Sequence, residues 1–414
     1  MKKLDIKNTA NGIFHQIKSF YLEHKIAAAF VTLSGAALIY YLLYIIIGGS
    51  GAVLRSFMLE GDDFLMDFYN SVRDVAQGTG VYTERHVIYP PMANLVMLFF
   101  SRFMPEAYLN TTFVDRQYWV QYPSAICALL FYLGIPVLEM LVICYRQYKS
   151  CNKMRYALAG AVLFSYPVLY AMERGNIILW SVIAVLYYTF YYDSENKTQR
   201  ELSLLALAFA FSIKLYPAIL GLPLLIDKRY KDAVRAAVYG LLLLVLPAFF
   251  FGGPQCFLWI YQNTSSFSSS QHAFWVKDLF PYAVEGLKKV IDILPFALIL
   301  PTFLVGVFVQ KERYKVFAMG VAVMNAYPAF SALYTWGFFL APLFLLLNKE
   351  RPTRLDWIYA ILLGIPCLMT PWGDAKLRRW LVSMCLLLLI AFFVIETVVL
   401  VCRALRARKA SAKC

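Results

Sequence analysis

Apolar runs separated by short polar links dominate the chain. They cover residues 26–48, 120–145, 155–172, 176–193, 201–213, 216–226, 233–252, 289–310, 315–331, 336–347, 355–371 and 380–402. A helix rises about 1.5 Å per residue and the hydrocarbon core of a bilayer is about 30 Å thick, so runs near 20 residues predict membrane-crossing helices. The pattern therefore predicts an all-α polytopic membrane protein of about twelve transmembrane helices. Because the links are short, 26–402 reads as one membrane-embedded unit. A polar N-terminal segment, 1–25, precedes it and a basic tail, 403–414, follows.

Two stretches depart from simple alternation. Residues 91–104 are apolar but short, and a full span there would invert every later loop. They read as a re-entrant or interfacial helix, with a spanning helix as the alternative. Residues 201–226 are flanked by basic links on both sides yet carry Lys214 and Pro217 between them. Two flanks on one side require a helical hairpin with SIKLYP at its tip. The first run is too long for the apolar core of a cleaved signal peptide and reads as a signal anchor. Ahead of it, Ile13, Phe14, Ile17, Phe20 and Tyr21 recur at helical spacing with Lys18 and Lys25 among them. That spacing fits a short helix on the membrane surface, or a solvated leader.

Composition agrees with the pattern. The chain is 61% hydrophobic and only 15% charged, which excludes a soluble cytosolic enzyme, a disordered tail and a disulfide-rich secreted domain. Its net charge of +14 would point to nucleic acid in a soluble protein. Here 26 of the 39 Lys and Arg fall in 1–25, 146–155, 194–200, 227–235, 311–315, 348–354 and 403–414. The positive-inside rule puts those segments, and both termini, in the cytoplasm, and no nucleic-acid partner is needed. Lys376, Arg378 and Arg379 break the rule. The eight cysteines form no close pair, so neither a disulfide framework nor a zinc site is readable.

Candidate chemistry collects on the opposite face. The first outer loop, 49–90, carries Asp62, Asp63, Asp67 and Asp74 interleaved with Phe64, Phe68 and Tyr69. On a helix Asp63 and Asp67 share a face, and a carboxylate among aromatics beside a membrane can act as a general base. A solvated loop helix with an Asp cap explains the spacing equally well. Lys214 lies within LALAFAFSIKLYPAILGLPL and Glu173-Arg174 within YAMERGNIILW. Ionisable groups at membrane depth are costly and face a cavity, a partner or a ligand. For Lys214 the simpler reading is snorkelling to the interface; for Glu173-Arg174 it is a local ion pair. A polar outer loop, 253–280, adds Trp259, Tyr261, Asn263, His272 and Trp275, a mixture that suits sugars and also an ordinary connector. No cluster has metal-ligand spacing; Asp62-Asp63 is the one pair that could hold a divalent cation loosely, in the presence of donor.

These segments together resemble a known family. DDFLMDFYNSV, then Gly78, Gly80, Val81 and Tyr82, then VIYPPMANL are similar to the first outer loop of glycosyltransferase family 87. ERGNII and SIKLYPAILGLPLLIDKRYKDAV resemble its Gly-(Gln/Asn)-x-Asn step and its Lys-x-x-Pro motif, so the likeness covers roughly 50–250. The family's members are membrane mannosyltransferases of the C-type superfamily that use polyprenyl-phosphate-linked sugars. The resemblance implies transfer of a hexose, mannose first, from such a donor to a glycolipid or polysaccharide acceptor, inverting, on the outer face of a bilayer.

By position it makes Asp63 the catalytic base, with Asp62 and Asp67 as supporting acids. Lys214 and Arg174 would hold the donor phosphate, and Tyr69, Tyr89, Asn176, Asn263 and His272 would contact sugar or acceptor. One departure stands out: where one branch of the family carries a late Trp-x-His-His motif, SALYTWGFFLAPL places Phe338 and Phe339. A transporter or flippase of lipid-linked glycans, and a glycan ligase, remain the alternatives that buried charge and multiple spans would also fit.

Overall fold

The computed structural model describes residues 18–56, 65–76, 78–110, 121–148, 152–267, 285–327, 333–369 and 375–411. Helix accounts for 86% of the structure and no strand occurs among the described residues, as the apolar pattern predicts. In chain order the helices that frame the site are α1 (Lys25–Ser56), α2 (Met66–Ala76), α3 (Pro91–Ser101), α4 (Pro123–Gln147), α5 (Tyr166–Arg174), α6 (Ile178–Tyr191), α7 (Lys197–Ile213), α8 (Tyr230–Val245), α9 (Arg313–Ala326) and α10 (Ala375–Ser411).

Four stretches among the described residues are long and apolar enough to cross a membrane: Lys25–Gly48, Pro123–Gln147, Tyr230–Phe251 and Leu377–Lys409. They coincide with four of the twelve expected runs. The other runs are helical in whole or part, and half of them are divided into shorter pieces. Run 155–172, for instance, divides into Asn152–Leu163 and α5, with Pro167 in the first turn of the second piece. Proline has no N–H to give the preceding turn, so a helix restarts at it more readily than it passes through. Helix α3 has 11 residues, about 16 Å, half the thickness of a hydrocarbon core.

The stretch 201–226 does fold back on itself. Helix α7 stops at Lys214, whose backbone is extended at φ −138° and ψ 116°. A 3-10 turn, Tyr216–Gly221, then starts with Pro217. A Cβ on Gly221 would lie 3.6 Å from Leu207 Cδ2. Positions seven before and seven after Lys214 thus touch, and Lys214 is at the bend.

Ion pairs gather at one end of the helices. Asp232 takes Arg229 at 3.0 Å and Arg235 one turn on, and Arg235 also reaches Glu201. Arg313 pairs with Asp193 at 2.8 Å, and Lys349 with Glu312 at 2.8 Å and Asp356 at 3.0 Å. Four links rich in Lys and Arg therefore meet at a single end. Helices α6 and α7 join that end to the opposite one, and the 17 residues of α7 carry Lys214 about 25 Å away from it.

Two apolar cores meet at that far end. The larger includes Ala171, Ile178, Ala210 and Phe303. The smaller packs Phe68, Val72, Tyr82, Phe100, Tyr132, Ile177 and Phe251, so α2 and α3 lie against α4 and the start of α6. Ile177 belongs to one core and Ile178 to the other. The polar residues of Asp67, Arg174 and Asn176 occupy the seam between them.

Candidate active site

Asp67 stands in the first turn of α2, where a carboxylate is favoured by the helix dipole. The turn before it is pinned: Leu65 adopts a left-handed φ of 59° and its N–H donates to the Glu173 carbonyl at 2.7 Å. A non-glycine residue there costs energy, which the Glu173 contact and the buried Leu65 side chain offset. Helix α2 is thereby fixed against the end of α5.

Helix α5 ends in a Schellman turn. Gly175 has φ +64°, its N–H bonds the Met172 carbonyl at 2.9 Å, and the Asn176 N–H returns to Ala171 at 2.9 Å. A Cβ on Gly175 would stand 2.8 Å from Phe68 Cβ, so only glycine lets α2 approach this closely. The turn aims two side chains at Asp67. Arg174 Nε donates to Oδ2 and Nη2 to Oδ1, both at 2.7 Å, a two-pronged pairing in which each side chain is mostly buried. Asn176 Nδ2 donates to Asp67 Oδ2 at 2.6 Å and to the Tyr89 hydroxyl at 3.2 Å. Asn176 Oδ1 accepts the Ile178 N–H at 2.9 Å, satisfying one of the open donors at the start of α6.

Tyr89 reaches this group from the loop between α2 and α3. Its carbonyl accepts the Tyr82 hydroxyl at 2.9 Å, and Asn94 Nδ2 donates to that same hydroxyl at 2.8 Å. Asn263 Nδ2 donates to the carbonyls of Tyr82 at 2.9 Å and Val87 at 3.1 Å. The loop is thus tied down at Tyr82, Val87 and Tyr89.

Lys214 completes the constellation from the bend after α7. Its ammonium lies 4.3 Å from the centre of the Tyr89 ring. Among the described residues it makes no hydrogen bond and no ion pair. The side chain is largely enclosed by protein yet keeps some accessible surface. Burial pushes its pKa down to about 8, and the Asp67 charge pulls it partly back up. Burial raises the Tyr89 hydroxyl above the usual tyrosine value, with the Asp67 charge acting in the same direction. Tyr334 and Tyr216 stand within electrostatic range of Tyr89, and Tyr170 within hydrogen-bonding reach of Arg174.

A mostly buried carboxylate clamped by arginine, near an ammonium that meets a tyrosine ring and no counter-ion among the described residues, fits an anionic and hydroxyl-rich ligand. Residues 87–371, about two-thirds of the chain, match the model of glycosyltransferase family 87. The chain belongs to this family. It is therefore a glycosyltransferase with helices suited to a membrane. No curated protein and no solved structure matches it significantly. The matched range extends beyond the expected 50–250 on its C-terminal side and begins after the acidic stretch 62–74.

Of the residues expected at the site of this glycosyltransferase, five converge: Asp67, Arg174, Asn176, Tyr89 and Lys214. Tyr69 does not join them. It is fully buried beside Phe68 and Tyr108, and its hydroxyl donates to the Ala125 carbonyl at 3.2 Å. Asn263 touches the site only through the loop that its amide holds. Asp62, Asp63 and His272 lie outside the described residues. No group of three or more metal-ligating side chains occurs among those described. At the late motif, Phe338 packs its ring 5.7 Å from Tyr216 and Phe339 is buried against Trp336. Asn94, Tyr170, Tyr216 and Tyr334 are not expected at the site from sequence, and Tyr82 enters only as part of the family-like Gly-x-Gly-Val-Tyr step. In so aromatic a chain a tyrosine carries little signal, although Asn94 stands out as the one amide in PPMANLVMLFF.

Proposed function

We propose that this glycosyltransferase moves a hexose, mannose by family likeness, from a polyprenyl-phosphate donor to a glycolipid or polysaccharide acceptor, with inversion. The ammonium of Lys214, largely enclosed in a family 87 chain and with no ion pair among the described residues, carries the reading. A largely enclosed ammonium without a counter-ion is completed by an anion, and a sugar phosphodiester supplies one. The polyprenyl tail accounts for a catalyst built of apolar helices. The basic end of the bundle faces the cytoplasm by the positive-inside rule, so Lys214, one helix length away, belongs toward the outer face.

In this mechanism Asp63 takes the proton from the acceptor hydroxyl as its oxygen bonds to the anomeric carbon. The bond from that carbon to the phosphate oxygen breaks on the opposite side. The electron pair leaves with the lipid phosphate, and Lys214 stabilises the charge that grows there. Asp67 has both oxygens engaged by Arg174 and Asn176, which suits a supporting role. Arg174 faces Asp67, so the phosphate contact rests chiefly on Lys214. Leu65, two positions after Asp63 in sequence, donates its N–H to the carbonyl of Glu173, the residue before Arg174.

The test is Asp63→Asn with Asp62 and Asp67 intact, assayed for transfer from a polyprenyl-phosphate mannose. Losing a general base lowers turnover about 10²–10⁴-fold at unchanged expression. Wild-type turnover in that variant overturns the assignment.

A further inference from the structure

The Lys214 ammonium lies over a ring face, 4.3 Å from its centre, and pairs with no carboxylate among the described residues. Asp67, the acid that acts on it electrostatically, is already held by Arg174. This arrangement has a chemical consequence. A carboxylate partner would use the ammonium's N–H donors and compete with an incoming phosphate. An aromatic face attracts the charge through its quadrupole and leaves the donors free.

The ring itself is fixed at both ends. Its backbone carbonyl accepts the Tyr82 hydroxyl at 2.9 Å, and Pro90 and Pro91 restrict the chain immediately after it. Its hydroxyl accepts from Asn176 Nδ2 at 3.2 Å, and the same amide bonds Asp67 Oδ2 at 2.6 Å. One unbroken line of contacts therefore runs from Arg174 through Asp67, Asn176 and Tyr89 to Lys214.

We infer that Tyr89 is a positioning residue: its ring face holds the Lys214 ammonium ready for the donor phosphate, and its hydroxyl ties that ammonium to the Asp67–Arg174 pair through Asn176. This rests on the phosphate role proposed for Lys214. It also changes the part of Tyr89 from a sugar contact to a support for the cation.

The test measures binding of farnesyl phosphate and of farnesol to the full chain in detergent, which needs no knowledge of the sugar. Wild-type protein prefers the phosphate, and Lys214→Ala erases that preference. Tyr89→Leu weakens farnesyl phosphate about 2- to 30-fold, the range expected for a lost cation–π contact, and leaves farnesol unchanged. Tyr89→Phe keeps the ring and retains most of the affinity. Raising the pH releases farnesyl phosphate from Tyr89→Leu at a lower pH than from wild type, whereas a merely structural defect lowers affinity at every pH alike. If the leucine variant does not fold, Tyr89→Met, which keeps the bulk, serves in its place. Wild-type affinity in Tyr89→Leu beside a weakened Lys214→Ala overturns the inference alone. An unweakened Lys214→Ala removes the phosphate role and the inference with it.

Discussion

Arg174 closes on Asp67 with two nitrogens of its guanidinium, Nε to Oδ2 and Nη2 to Oδ1, each at 2.7 Å, across 107 residues of sequence. The pair joins α2 to the end of α5 at the seam of the two cores. Because Asn176 shares Oδ2, any movement of the pair is passed to Tyr89 and from there to Lys214. The site behaves as one connected object.

Breaking this pair from one side leaves a mostly buried charge without its partner. Asp67→Ala and Arg174→Ala should each lower stability by roughly 2–4 kcal/mol. The double variant should be less destabilised than the sum, with a coupling of about 2 kcal/mol. Thermal unfolding of the four proteins in one detergent measures it. Strictly additive losses would show that the pair contributes nothing as a pair.

Gly175 makes a sharper prediction. Alanine at φ +64° costs about 1–2 kcal/mol by itself, and its Cβ would stand 2.8 Å from Phe68 Cβ. Gly175→Ala should therefore lose about 2–4 kcal/mol and most transfer activity, since Arg174 and Asn176 flank the turn. Phe68→Ala cannot rescue it, because the contacted atom is one that alanine keeps. A melting temperature equal to wild type would contradict the closeness of α2 and α5.

Much of this could be read without a structure, for physical reasons. Apolar periodicity gives the helices and a charge in an apolar run is conspicuous, so Lys214, Arg174 and the acidic loop stand out. Equal basic flanks demand the hairpin that Gly221 and Leu207 complete. Helix length is less legible: a proline or an extended residue inside an apolar run shortens the helix without changing its hydropathy, and among the described residues four stretches are long and apolar enough to cross a membrane, beside twelve apolar runs. The partner of Arg174 is hidden because Glu173 lies beside it in sequence while Asp67 is contributed by another helix. Tyr69 is two residues from Asp67, about 200° around a helix, and so faces the core instead of Arg174. Asn263 has the chemistry of a sugar ligand, and nothing in its neighbours reveals that its amide meets two backbone carbonyls.

That last residue can be tested separately. Asn263→Leu removes the donor to the Tyr82 and Val87 carbonyls and leaves both in a partly buried site. A cost of about 1–3 kcal/mol follows for the unsatisfied groups. Hydrogen exchange should quicken across 82–89, and donor affinity should fall because Tyr89 is on that loop. A sugar ligand would behave differently: acceptor or donor binding would weaken with exchange across 82–89 unchanged.

Lys214 sets stability against function, and the sign can be worked out. Burial lowers its pKa from 10.5 to about 8 in the folded protein. Between those values the unfolded chain holds a proton that the folded one has released, so stability rises with pH across that window. Below about 8 the cost of the buried charge is present in full. Lys214→Met should therefore stabilise the protein at neutral pH, by about 1–3 kcal/mol, while destroying phosphate binding. In wild type, donor affinity should decline as the pH passes about 8, because only the ammonium attracts the phosphate. Lys214→Arg stays charged throughout, so whatever affinity it retains should persist to higher pH. Donor binding measured from about pH 7 to pH 10 in the three proteins separates the outcomes. A wild-type affinity that stays level across that range, matched by Lys214→Met, would assign the phosphate to another cation and leave Lys214 as a purely structural expense.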